Sequence, residues 1–128
     1  MKEDKVKAMS KILALILGDR KRYLALVYHY CFDTPVSDVK YILDKSYQKT
    51  KNSLSKSDKV YDIKMLCDLP QEIAEVENVE VFKEVNGRYK CKWCGRYVTK
   101  RGRIQHLLKY HYERLESDAV KYLTLISL

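Results

Sequence analysis

Two cysteines and two histidines in the last third of the sequence constrain this chain more than any other feature. Cys91, Cys94, His106 and His111 follow the spacing C-x2-C-x11-H-x4-H. Two thiolates on a tight turn and two imidazoles on a helix can meet at one tetrahedral point. Mixed sulfur and nitrogen ligation of this geometry suits Zn²⁺. The spacing therefore predicts one structural zinc ion, because four protein ligands leave no position for a substrate water.

Residues 87–112 resemble the two-Cys, two-His zinc finger family, and the resemblance implies a ββα unit that binds DNA. The hydrophobic residues that would complete such a finger are Tyr89, Tyr97 or Val98, Ile104, and Leu107 or Leu108. The chain departs from the family in placing eleven residues between Cys94 and His106, against about twelve in the family pattern. The alternative is a redox C-x-x-C pair with unrelated histidines, but a redox pair usually opens a helix in a βαβ setting.

The charge of the chain is distributed unevenly. The sequence has 25 basic and 17 acidic side chains, a net charge of +8. Residues 88–112 contain eight basic side chains and no acidic one, whereas residues 67–87 are acidic. A concentrated positive charge favours a polyanionic partner. Since the acid-free run coincides with the finger, we expect double-stranded DNA to be that partner.

The resemblance also assigns roles within the finger, with its helix register open by one residue. Arginine suits guanine and glutamine suits adenine in the major groove. The side chains expected to face the bases are Lys100, Arg101, Arg103 and Gln105. Those expected to contact phosphates are Lys90, Lys92, Arg96 and Lys109.

The first half of the chain predicts consecutive amphipathic helices. The first covers residues 5–17 and ends at Gly18, and Asp19 can cap the second. Thr34 is expected to cap a third helix with Pro35 in its first position, and Ser46 to cap a fourth from Tyr47 to about Ser57.

Residues 33–57 resemble helix-turn-helix DNA-binding proteins in this pattern. The resemblance implies that Lys49, Lys51 and Lys56 on the last of these helices contact DNA. A plain helical bundle with lysine-rich solvent faces is the alternative interpretation.

The region between the two basic segments predicts a break followed by a hairpin. Pro70 is expected to end the preceding segment, since the residue before proline disfavours the helical conformation. Residues 71–78 would form a short helix or linker. Asn86-Gly87 lies between an alternating segment with Val79, Val81 and Val85 and one with Tyr89, Cys91 and Trp93, which indicates a hairpin turn.

Two further features leave alternatives open. An apolar stripe from Ile104 to Ile126 predicts a helical extension beyond the finger, which Ser117 can restart as a separate helix. The extension would pack on the N-terminal helices or on a second copy of the chain in a homodimer. Cys31 and Cys67 are expected to be buried thiols, with a disulfide between them as the less favoured alternative outside hyperthermophiles.

The predicted fold class is mainly α with a small β-hairpin. The expected domains are a helix-turn-helix-like domain at 1–66, an acidic connector with the first hairpin strand at 67–86, the finger at 87–112 and a helical extension at 113–128. We find no apolar run long enough for a membrane span, no secretory signal, and no phosphate loop, nucleophile motif or carboxylate pair. The sequence thus predicts neither an enzyme, nor a small-molecule substrate, nor a membrane partner.

These features together predict an intracellular, sequence-specific double-stranded DNA-binding protein that regulates transcription. The compartment would be the host cytoplasm for a prokaryotic or viral protein and the nucleus for a eukaryotic one. A small chain rich in lysine, tyrosine and isoleucine with a lone finger is similar to DNA-binding proteins of archaeal viruses and plasmids. The alternatives are a protein-interaction adaptor that uses the finger, and an RNA-binding protein.

Overall fold

A computed structural model describes residues 2–76 and 80–126, which are mainly helical with a small antiparallel sheet, as the sequence predicts. Within this part of the chain the helices are α1 (Lys2–Gly18), α2 (Arg20–Phe32), α3 (Val36–Leu43), α4 (Tyr47–Val60), α5 (Ile63–Ala74), α6 (Arg103–Tyr110) and α7 (Tyr112–Ile126). The strands are β1 (Phe82–Val85), β2 (Arg88–Cys91) and β3 (Tyr97–Val98). The described residues form two compact units, one ending at Asp68 and the other running from Leu69 to Ile126. Val79 and Asn78, which were expected in the hairpin and the acidic segment, lie outside the described residues.

The first unit is built from helices whose ends are set by short polar residues. Asp19 accepts a hydrogen bond from the backbone N–H of Arg22 at the start of α2, and Ser46 accepts one from Lys49 at the start of α4. Both caps confirm the sequence prediction. Between α3 and α4 the chain turns through Asp44, whose φ of 54° is left-handed. A turn of three residues, 44–46, thus separates α3 from α4.

The start of α3 differs by one residue from the prediction. Pro35 itself is the N-cap, and the helix begins at Val36. Thr34 does not cap α3 because its backbone completes the end of α2: its N–H donates to the carbonyl of Tyr28, and its carbonyl accepts a hydrogen bond from His29 Nδ1. His29 thus has a hydrogen-bond partner at the end of its own helix.

Cys31 and Cys67 form a disulfide, so the expectation of two free buried thiols is wrong. Their Cα atoms lie 5.7 Å apart although the residues are 36 positions apart in the sequence. Both side chains are half-buried. The sequence spacing could not reveal this pairing, because only the fold of the intervening helices brings the end of α2 next to α5.

Pro70 does not end a helix as predicted but lies within α5. Proline in a helix interior removes one backbone hydrogen bond at a cost of about 3 kcal/mol. Leu69 and Ile73 on either side of it are fully buried. Burying two such side chains contributes about 3–6 kcal/mol, which is enough to offset the lost bond and to keep the helix continuous through Pro70.

The sheet of the second unit has the strand order β1-β2-β3, with both pairs antiparallel. Asn86 and Gly87 connect β1 to β2 with φ of 51° and 80°. Two consecutive positive φ values are those of the type I′ turn that favours this dipeptide, so the predicted hairpin is confirmed. The register places Phe82 opposite Cys91. No helix among residues 2–76 and 80–126 combines the length and the apolar character that crossing a membrane requires.

Candidate metal centre

The structure brings the four residues of the sequence motif together. Cys91, Cys94, His106 and His111 each offer one ligand atom, and these atoms all lie within 4.8 Å of one another. The site can therefore hold one metal ion, as the spacing predicts. Cys91 and His106 are buried, His111 is half-buried and Cys94 is exposed.

Three of the distances between the ligand atoms are close to those of tetrahedral coordination. Bonds of about 2.3 Å to sulfur and 2.0–2.1 Å to nitrogen at tetrahedral angles separate two nitrogens by about 3.4 Å and a sulfur from a nitrogen by about 3.6 Å. The two Nε2 atoms of His106 and His111 lie 3.2 Å apart. Cys94 Sγ lies 3.3 Å from His106 Nε2, and Cys91 Sγ lies 3.5 Å from His111 Nε2. The donor set can thus hold a single metal ion.

A tight turn after β2 positions the two cysteines. Cys91 is the last residue of β2, and its carbonyl accepts a hydrogen bond from the N–H of Gly95 at 2.8 Å. Its own N–H donates to the carbonyl of Arg96 at the same distance. Gly95 has a φ of 75°, a conformation that favours glycine. This closed turn directs both sulfur atoms to the same side.

The end of α6 positions the second histidine. Five residues of regular helix turn through about 500°, so His111 on a continuous helix would project about 140° away from His106. Instead α6 ends at Tyr110, and His111 adopts φ −130° and ψ 27° before α7 begins at Tyr112. The expected restart at Ser117 is wrong, because Ser117 lies within α7, which is continuous from Tyr112 to Ile126.

The surroundings of the histidines favour their neutral, metal-binding form. Burial lowers the pKa of His106, and the neighbouring His111 and Arg96 lower it further. Burial likewise lowers the pKa of His111, assisted by Arg114 and Arg96.

The Cys91 thiol responds to burial in the opposite direction. Burial raises the pKa of the Cys91 thiol, and backbone hydrogen bonds from Cys94 and Trp93 act against this rise. Those bonds stabilise the thiolate, which is the form of cysteine that binds a metal.

Aromatic rings surround the ligands, and only some were expected from the sequence. The ring of Phe82 lies 6.1 Å from that of His106, and Trp93 lies 5.3 Å from His111, both edge to face. Phe82 is buried, whereas Tyr97 is 51% exposed, so of the two expected core residues, Tyr97 or Val98, Tyr97 is not buried. The register of the hairpin explains why Phe82 lies beside the ligands, since Phe82 pairs with the ligand Cys91.

The remaining residues of the finger core divide between buried and half-buried positions. Leu107 and Leu108 are fully buried, as expected of the helix. Tyr89, Val98 and Ile104 are half-buried. The burial of Tyr112 at the start of α7 was not foreseen; its position directly after the second histidine was the available signal.

The residues expected to face bases differ in how they are held. Lys100, Arg101 and Gln105 are exposed. Arg103 is half-buried, with its guanidinium 4.6 Å from the centre of the Tyr89 ring and its Nε donating to the carbonyl of Lys100. Arg103 therefore has structural contacts of its own within the finger.

The residues expected to contact phosphate are all exposed, and three of them also lie over aromatic rings. Arg96 and Lys109 both approach Tyr110, at 4.6 and 5.4 Å from the ring centre. Lys90 lies 5.9 Å from the centre of Tyr97, and Lys92 is exposed on the metal-binding turn. The four side chains expected to contact phosphate are thus all accessible at the surface.

The lysines expected from the helix-turn-helix pattern all lie on α4 in the first unit. Lys49, Lys51 and Lys56 are exposed, and Leu54 is buried. Tyr30 on α2 donates a hydrogen bond to the carbonyl of Leu54 at 2.7 Å, which holds α4 against α2.

No family model matches the sequence, and no curated protein or solved structure matches the chain.

Proposed function

We propose that the protein is a sequence-specific double-stranded DNA-binding protein that regulates transcription and carries one structural Zn²⁺. The observation that carries the proposal is the cluster of Cys91, Cys94, His106 and His111 inside a segment with eight basic side chains and no acidic one. A metal site that orders a basic hairpin and helix is a means of presenting fixed cations to a polyanion. The proposed role is binding, with no catalytic step.

The donor set supports zinc as the metal. Two thiolates and two imidazoles in a tetrahedral arrangement suit Zn²⁺, which needs no open coordination position in a structural site. The lowered pKa values of both histidines keep them available as neutral ligands at neutral pH. The metal would supply the folding free energy that a unit with so small a core lacks.

The exposed side chains of the finger support duplex DNA as the ligand. Gln105 in the first turn of α6 suits adenine, and Lys100 and Arg101 precede the same helix. Phosphate contacts from Lys90, Lys92, Arg96 and Lys109 would add affinity without sequence information. A single finger reads about three base pairs, so the proposal assigns a second DNA contact to Lys49, Lys51 and Lys56 on α4.

The decisive experiment is selection of binding sites from random duplex DNA by the zinc-loaded full chain, followed by titration of the selected site. If about six phosphates are neutralised, log K should fall against log salt with a slope near −5. Gln105→Ala should relax the preference at one or two base pairs, whereas Lys92→Ala should weaken all sequences alike and flatten the slope by about one. Lys11→Ala, at an exposed position of α1, is the matched control and should change neither quantity.

One observation favours a different function, a protein-interaction adaptor. Val120 and Leu125 on α7 are 53% and 55% exposed, and exposed apolar side chains can bind a protein partner. An adaptor would show no duplex binding even at low salt. Enrichment of single-stranded or hairpin RNA over duplex DNA in the same selection would instead support an RNA-binding protein.

A further inference from the structure

A second group of cations lines a pocket in the first unit, apart from the finger in the sequence. The pocket has a volume of about 390 Å³ and is lined by Arg22, Lys45, Lys49, Asn52, Ser53 and Lys56. Four of these side chains are cationic, and none of the described lining residues carries a carboxylate. Like charges brought together without a counter-charge repel one another, so this arrangement favours an anion.

Arg22 is held in place at this pocket by the neighbouring helix. Its Nη2 donates to Ser57 Oγ at 3.1 Å, and the fully buried Ser57 in turn donates to the carbonyl of Ser53. The Nε of Arg22 is buried and has no hydrogen-bond partner among the described residues. A buried donor of this kind gains stability when an acceptor binds beside it.

Helical periodicity separates the lysines of α4 into two sets. Lys49 and Lys56 are seven residues apart, which returns them to within about 20° of the same direction. Lys51 is two residues from Lys49, or about 200° around the helix. Accordingly Lys49 and Lys56 line the pocket and Lys51 does not. Lys49 and Lys56 therefore lie on one face of α4 and Lys51 on another.

We propose that this pocket binds a phosphate group. The fixed guanidinium of Arg22 matches phosphate oxygens in shape and charge, Lys45, Lys49 and Lys56 add positive charge, and Asn52 and Ser53 add neutral donors. The phosphate could come from the backbone of a nucleic acid or from free inorganic phosphate, and both offer the same oxygens. The first source rests on the proposed DNA-binding function, whereas the second is independent of it.

The first test is titration of the zinc-loaded full chain with sodium phosphate at constant ionic strength, followed by ¹H–¹⁵N NMR. The wild type should show saturable shifts at Arg22 Nε and at the amides of Asn52 and Ser53. Lys49→Gln/Lys56→Gln should weaken this binding at least about tenfold, because charge-assisted bonds are lost. Lys59→Gln/Lys64→Gln removes the same charge from exposed positions on α4 and α5 outside the pocket and should leave the binding unchanged.

A substitution of Arg22 tests the contribution of the shape of its guanidinium separately from that of its charge. Arg22→Lys keeps the charge but lacks the planar fork, and it should also lose phosphate affinity while retaining the folded spectrum. If phosphate causes no saturable shift at these residues, or if the pocket pair and the control pair weaken binding equally, the proposal is wrong.

The second test identifies the source of the phosphate by competition. If the pocket holds a DNA phosphate, inorganic phosphate at constant ionic strength should weaken duplex binding by the wild type but not by Lys49→Gln/Lys56→Gln. If phosphate binds without affecting duplex affinity, free phosphate is the source. If the wild type binds no duplex at low salt yet shows the phosphate shifts, the proposed function fails and the pocket stands.

Discussion

Opening the Cys31–Cys67 disulfide should destabilise the first unit by a large share of its total stability. The link closes a loop between residues 36 positions apart, for which the chain-entropy relation gives about 4 kcal/mol at 25 °C. A unit of this size has an unfolding free energy of about 3–10 kcal/mol. The double variant Cys31→Ser/Cys67→Ser should therefore melt roughly 15–30 °C below the wild type.

The assay is urea and thermal unfolding of the zinc-loaded chain, monitored by circular dichroism at 222 nm for the helices. Trp93 is the single tryptophan of the sequence and lies in the second unit. Its fluorescence therefore follows the metal-binding unit separately, and its transition should shift less. The single variant Cys31→Ser should match the double variant, because either change opens the link. An unfolding free energy within about 1 kcal/mol of the wild type would refute the loop-closure reasoning.

Three further perturbations have defined outcomes. Chelation of the metal, or Cys94→Ser, should remove only part of the helical signal, since the first unit does not use the metal; complete unfolding would contradict this. Burial and the hydrogen bond to Glu72 raise the pKa of Tyr122 to about 12. An unfolded tyrosine ionises near pH 10. The stability contributed by the bonded Tyr122 hydroxyl is therefore present below about pH 10 and is lost towards pH 12. Tyr122→Phe should remove one tyrosine from the part of the absorbance titration that lies at the highest pH. Tyr30→Phe should lower the unfolding free energy by about 1 kcal/mol through the lost bond to Leu54, measured by urea titration; no change would mean that water replaces the hydroxyl.

The parts of the sequence prediction that the structure confirms depend on local signals in the sequence. Asp19 and Ser46 cap the helices that follow them because a short side-chain oxygen directly before a helix can accept a hydrogen bond from one of its first backbone N–H groups. Asn86-Gly87 turns the hairpin because both positions need positive φ. The four metal ligands were also predicted from a local signal, because their spacing in the sequence indicates the turn and the helix that bring them together.

The errors arose where packing outweighed a local preference. Pro70 disfavours helix, but the burial of Leu69 and Ile73 around it keeps α5 continuous. The pairing of Cys31 with Cys67 depends on how α2 and α5 meet, which no spacing of two cysteines specifies. The pocket at Arg22 was missed for the same reason, because Arg22 and Lys45 lie on different elements from Lys49 and become neighbours only in the folded unit.

The break at His111 ties the direction of a helix to the occupancy of the metal site. His111 is the last ligand, its N–H bonds back to Leu107 in α6, and its carbonyl accepts the first hydrogen bond of α7 from Leu115. A bound ion would therefore fix the chain at this break. With His111 coordinated to the metal, α6 and α7 could not form one continuous straight helix. Without an ion bound to His111, this constraint on the angle between α6 and α7 would be absent.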